Sequence, residues 1–178
     1  MITRNTVYTI GHSTHPVEEF IALLQGAGVD FIIDVRTVPR SRTNPQFNFD
    51  ALPKSLQKAG IGYRHVAELG GLRARQKQVQ DSPNTFWENK SFRNYADYAL
   101  SDSFRKGLDE LEALAAEHSC ALMCAEAVWW RFHRRIIADY LLAEGYPVFH
   151  IMGMGKIEPA RMTEAASPAG TRMLRYRA

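Results

Sequence analysis

Cys124, Glu126, His133 and Arg134 crowd one short stretch of the 178-residue sequence, and their types suit nucleophilic or proton-transfer chemistry. A thiolate at Cys124 would be favoured by the first amides of a following helix and by His133 and Arg134. The competing use of Cys124 is as a small apolar side chain at the end of a buried strand. The phosphatase loop of cysteine, five residues and arginine is not met, because Trp130 stands sixth after Cys124 and the arginine follows at Arg131. Glu126 suits a general acid or base if burial raises its pKa, whereas pinning by Arg134 would make it architectural.

Further along the same logic, Asp34 interrupts the apolar run Phe31-Ile32-Ile33-Asp34-Val35. A carboxylate there is costly without a partner, and Arg36 or His12 would supply one. Arg36, Arg40 and Arg42 with Ser41 form a dense set of anion donors, since the guanidinium fork fits phosphate or carboxylate. The plainer reading is a solvated basic loop. A second set, Arg131, His133, Arg134 and Arg135, should reach the same sheet edge. The catalytic candidates are therefore Cys124, Glu126, His133 and Asp34. The ligand-binding candidates are His12, Ser13, Arg36, Ser41, Arg42, Gly70, Gly71 and Arg134. A zinc set of His12, Asp34, Cys124 and His133 lacks the close spacings of metal sites, so no metal is assigned and the cofactor is left open. Trp129 and Trp130 border the site, as stacking platforms or as packing.

These groups need a frame that brings them together. Val7–Ile10 reads as a strand, followed by helical spacing at Val17, Phe20, Ile21 and Leu24 with Pro16 at its start and Gly26 and Gly28 at its end. Phe31–Val35 reads as a strand buried on both faces. Asp50 is placed to cap a helix through Leu52, Leu56 and Ala59, and Ile61–His65 reads as a third strand. Residues 70–90 are polar, a long excursion suited to a lid or to disorder. Helical patterning then runs from Phe92 to Glu117, followed by a strand at Cys120–Cys124, a helix over Arg131–Glu144 and a strand at Val148–Ile151. Strands buried on both faces and alternating with helices predict an α/β fold, a mostly parallel sheet with helices on both faces in a single three-layer domain. Residues 1–155 would form that domain, and 156–178 a basic C-terminal extension, packed on it or partly disordered. Ligands of such folds sit beyond the carboxyl ends of the strands.

Composition sets the outer bounds. An apolar fraction of 46% suffices for a sizeable core. No apolar run is long enough to span a membrane, and the start Met1-Ile2-Thr3-Arg4-Asn5 lacks a signal-peptide core. A soluble, cytoplasmic protein with no membrane partner is the expectation. Cys120 and Cys124 share a strand face too far apart to bridge, which fits a reducing compartment. The net charge of +3 arises wholly after residue 155, where Lys156, Arg161, Arg172, Arg175 and Arg177 outnumber Glu158 and Glu164.

The ordered set Thr9-Ile10-Gly11-His12-Ser13, Asp34-Val35-Arg36, Pro39-x-Ser41, Tyr63, Leu69-Gly70-Gly71, Met123-Cys124-Ala125-Glu126 and His133-Arg134 resembles the bacterial domain of unknown function 488 (DUF 488) over nearly the whole chain. The resemblance implies an α/β fold and a shared site, and it names no reaction. Where that family often has Pro and a second Cys, this chain has Trp129 and Phe132, so a mechanism or metal site needing the second cysteine is not carried over.

Two functions from different classes follow as expectations. One is an enzyme, or a binding protein of enzyme ancestry, for a small anionic, phosphate-bearing or nucleotide-like ligand, with Arg36 and Arg134 holding the anion and His133 and Glu126 moving protons. The other is association with nucleic acid through the basic tail, Arg73–Lys77 and the site arginines. A partner-binding module without catalysis is the third possibility, and the oligomeric state is left open.

Overall fold

The computed structural model describes residues 3–131 and 133–178. The expectations for Met1, Ile2 and Phe132 lie outside the described residues. Strands β1 (Val7–Gly11), β2 (Phe31–Asp34), β3 (Gly62–His65), β4 (Cys120–Cys124), β5 (Val148–Gly153) and β6 (Lys156–Pro159) form one sheet in the order β3-β2-β4-β1-β5-β6. Its first five strands are parallel, and β6 returns antiparallel along β5. The α/β class expected from the sequence is the one observed.

Alternation along each strand divides the core into two layers. Ile33, Leu122 and Val148 face a cluster with α4 (Asp102–Glu117), α5 (Arg134–Ala143) and Tyr95 of α3 (Lys90–Tyr98). Ile10, Ile32 and Met123 face the other cluster, with α1 (Val17–Gly26) and α2 (Leu52–Lys58). The chain therefore leaves β1 and β2 toward one face and β4 toward the other. Where neighbouring strands send their connections opposite ways, a crevice opens at their carboxyl ends.

Several boundaries move for local reasons. Asp50 does not cap α2: Ala51 stands at the N-cap with no side-chain hydrogen bond, and a proline opens the helix instead. The long pattern from Phe92 to Glu117 breaks into α3 and α4, because Ser101 accepts from the Phe104 amide and starts a new helix. The expected helix from Arg131 begins at Arg134, after a 3₁₀ turn at Trp129–Arg131.

Residues after Lys156 are built into the structure. β6 extends the sheet, and β7 (Ala166–Gly170) pairs with β8 (Met173–Tyr176) as a hairpin. Leu174 and Tyr176 of β8 are buried in the α4–α5 layer. Tyr176 also fastens the polar excursion: its amide donates to Asn84 Oδ1 at 2.9 Å, its carbonyl accepts from the Phe86 amide at 3.0 Å, and its hydroxyl donates to Asp139 at 3.0 Å. Asn84 in turn donates to Asp97 of α3 at 2.7 Å. The excursion is thus anchored at its far end and carries the buried Trp87 into the core.

Candidate functional site

A cavity of about 560 Å³ opens at the carboxyl ends of β2 and β4, within the range of small-molecule sites. Arg36, Arg40 and Arg131 reach it from the two sequence clusters, Cys124 and His133 form its inner wall, and Gly71 lies at its edge. No carboxylate lines it among the described residues. The far wall comes from α3, whose N-cap Asn89 accepts from the Ser91 and Phe92 amides and so fixes the turn that presents Ser91, Phe92 and Tyr95.

Arg36 is set from behind. It is 6% exposed, and Asp34 is fully buried. Arg36 Nε and Nη2 donate to Asp34 Oδ1 and Oδ2 at 2.9 and 2.7 Å, and Nη2 also donates to the Phe47 carbonyl at 2.7 Å. The Arg36 amide and the Tyr63 hydroxyl complete four donors onto one carboxylate. Burial, then Asp34, pushes the Tyr63 hydroxyl pKa upward, so it remains a donor. Asp34 thus fixes the Arg36 side chain, and Arg36 spends most of its donors on the protein.

His12 lies on the α1–α2 side, stacked on Phe47 with centroids 4.3 Å apart. Its Nδ1 donates to the Ser13 carbonyl at 2.9 Å, which leaves Nε2 as the acceptor facing Arg36 Nη1 at 3.4 Å. Burial first, and Arg36 among the lesser causes, lowers its pKa to about 4. His133 donates through Nε2 to the Val35 carbonyl at 2.9 Å, and burial lowers its pKa to about 4 as well. Burial raises the Cys124 thiol above its usual value, against the opposing pull of Arg134, and Sγ points at the Glu126 carbonyl at 3.6 Å. At neutral pH the inner wall therefore presents a thiol and an uncharged imidazole.

Three buried imidazoles make the stability of the fold depend on pH. His12, His133 and His150, the last held near 3 by burial and Arg134, sit below the ordinary 6.5. Between those values the unfolded chain binds protons that the folded chain does not, so stability falls as pH falls. The urea midpoint is expected to drop steadily from about pH 6.5 to about pH 4, and a flat midpoint across that interval would contradict the assignment.

Other expected groups stand elsewhere. The Glu126 side chain is exposed, neither buried as its acid–base reading required nor ion-paired with Arg134 as its architectural reading required, and its backbone carbonyl does the bonding, accepting Arg134 Nη2 at 2.9 Å. Ser41 braces its own turn, its hydroxyl accepting the Asn44 amide at 3.0 Å and its amide donating to Asn48. Arg42 is exposed beyond the cavity lining. Ser13 serves through its backbone, with φ 47° and its amide on the Ala125 carbonyl. Gly70 permits close approach, since a Cβ there would meet Thr37 Oγ1 at 2.6 Å, and one on Gly71 would meet His133 Nδ1 at 2.4 Å. Arg134 is 1% exposed and lies behind Cys124, outside the cavity lining. Among the described residues no group of His, Cys, Asp and Glu is arranged to hold a metal.

Sequence reasoning missed the α3 wall. Phe92 and Tyr95 carry the spacing of core residues, and the Asn89 cap was the available signal that a helix end, and hence a cavity rim, lay there. No described helix is long and apolar enough to cross a membrane.

Comparison with curated proteins and with solved structures gave no match. A family model described as a domain of unknown function, DUF488, matches residues 16–141, which hold β2, β3 and β4 and every lining residue of the cavity. With more than half of its length matched, the chain belongs to the DUF488 family.

Proposed function

We propose that the cavity binds a small anionic ligand with an apolar or ring-shaped body, phosphate- or carboxylate-bearing and of nucleotide-like size. The observation that carries this reading is the charge of the lining: three arginines with no carboxylate, of which only Arg36 is neutralised, by Asp34. Among the described residues, the side chains of Arg40 and Arg131 have no hydrogen-bond or ion-pair partner. Two unpaired guanidinium groups facing one cavity favour an anion between them. Phe92, Tyr95, Val38 and Leu72 supply apolar surface for the rest of the ligand.

Calorimetric titration with nucleoside 5′-monophosphates, benzoate and inorganic phosphate tests this reading. Arg40→Ala and Arg131→Ala are each expected to weaken the best binder by about tenfold, with little change in Tm because both groups face solvent. A panel in which nothing binds, or in which the double variant binds as well as the parent, sinks the proposal.

The nucleic-acid reading draws less support from the same surface. Arg172 is taken up by Asp109, Glu112 and Glu144, and Arg73 by the Gly70 and Ala67 carbonyls and the Tyr98 ring. Removal of everything after Lys156 would also strip Leu174 and Tyr176 from the core, so charge reversal at exposed Arg161 and Arg177 is the cleaner probe of that mode.

A further inference from the structure

Two arginines are buried at the strand ends, and they differ in one respect. Arg36 has Asp34, whereas Arg134 has no carboxylate within ion-pair distance among the described residues. Its three partners are neutral oxygens: the carbonyls of Glu126 and Ala127 at 2.9 and 3.2 Å, and Thr9 Oγ1 at 3.4 Å. A guanidinium 1% exposed and without an ion-pair partner is costly, and the Glu126 carboxylate acts on it only from a distance.

The side chains around it make the same demand. Thr9 Oγ1 accepts from Arg134 Nη1, so its own proton is directed to His150 Nδ1 at 2.6 Å. His150 then carries its ring proton on Nε2. Trp129 lies flat on His150, with ring centroids 4.4 Å apart and planes 6° from parallel. His150 Nε2, Trp129 Nε1 and Arg134 Nε are all buried, and none has a hydrogen-bond partner among the described residues. Buried N–H groups are seldom left so, and here three belong to side chains in one contiguous contact group. The first turn of α5, which begins at Arg134, adds the positive end of a helix dipole.

We infer that Arg134, His150 and Trp129 form an inner site for a small inorganic anion, halide or oxyanion, separate from the cavity beside Cys124. The covering segment is thin, since Ala125, Glu126 and Ala127 are exposed and Trp129 is only half-buried. An anion there supplies an ion-pair partner for Arg134 and acceptors for the three N–H groups.

The test is thermal unfolding of the full chain in sodium gluconate, a bulky anion, exchanged stepwise at constant ionic strength for sodium chloride or sodium phosphate. The parent protein is expected to show a saturable rise in Tm on the order of 5 °C with at least one of the two, and which one identifies the anion class. Trp129→Phe keeps an aromatic face on His150 and removes one N–H, and His150→Leu removes another; each is expected to raise the half-saturating concentration about fivefold or more. The Arg40→Ala/Arg131→Ala variant, whose outer cavity no longer competes for phosphate, is expected to keep a saturable rise with the same anion. Absence of a saturable rise, an unchanged response in either inner variant, or loss of the response in the double arginine variant overturns the inference. The last outcome would assign the anion to the outer cavity.

Discussion

Asp34→Ala is expected to destabilise the protein by about 3–5 kcal/mol, because it leaves the Arg36 guanidinium buried without its counter-ion. The carboxylate also receives the Tyr63 hydroxyl and the Arg36 amide, so the substitution orphans donors on two elements at once. Chemical denaturation reads the loss directly. The double variant Asp34→Leu/Arg36→Met removes both partners and is expected to recover most of it, since replacing a whole buried pair with apolar groups costs little. A loss below about 1 kcal/mol for the single variant would mean that Arg36 turns outward to solvent with ease, and the rear anchoring of the cavity would be wrong.

Gly11→Ala is expected to be as severe. A Cβ at that position would stand 1.7 Å from the Glu126 carbonyl oxygen and 2.8 Å from Ala127 Cα, and both are backbone atoms. No rotamer change relieves such an overlap, so the segment after Cys124 must move away from β1. That segment carries the acceptor for the Cys124 thiol and two of the three acceptors for Arg134. A cost of roughly 3 kcal/mol or more is expected, with loss of ligand binding in any molecules that fold. Gly26→Ala is the control: nothing lies within 4 Å of its Cβ at the last position of α1, and a change within about 0.5 kcal/mol is expected. A Gly11→Ala protein as stable as the parent would show that the close approach of the two backbones is not required.

The architecture was legible because hydrophobic period and turn residues act locally. Apolar runs such as Phe31–Val35 and Cys120–Cys124 are buried on both faces, and that alone implies a parallel sheet between helices. The partner of Asp34 was legible for the same kind of reason, since a lone carboxylate in an apolar strand demands a nearby cation. What the sequence did not disclose was direction. Arg36, Arg40 and Arg42 lie within seven positions of one another, yet one is locked inward, one faces the cavity and one faces away. Glu126 looked like a side-chain participant and serves through its carbonyl, a distinction that spacing does not encode. Phe92 and Tyr95 were indistinguishable from packing residues, because a cavity wall and a core face share one apolar period.

The clasp between Tyr176 and Asn84 joins positions 92 residues apart in the chain. Through Asn84 and Trp87, which stacks on Phe92 at 4.8 Å, it holds the aromatic side of the cavity. Lifting the final hairpin would therefore loosen the aromatic wall of a cavity to which, among the described residues, the hairpin itself contributes no lining side chain.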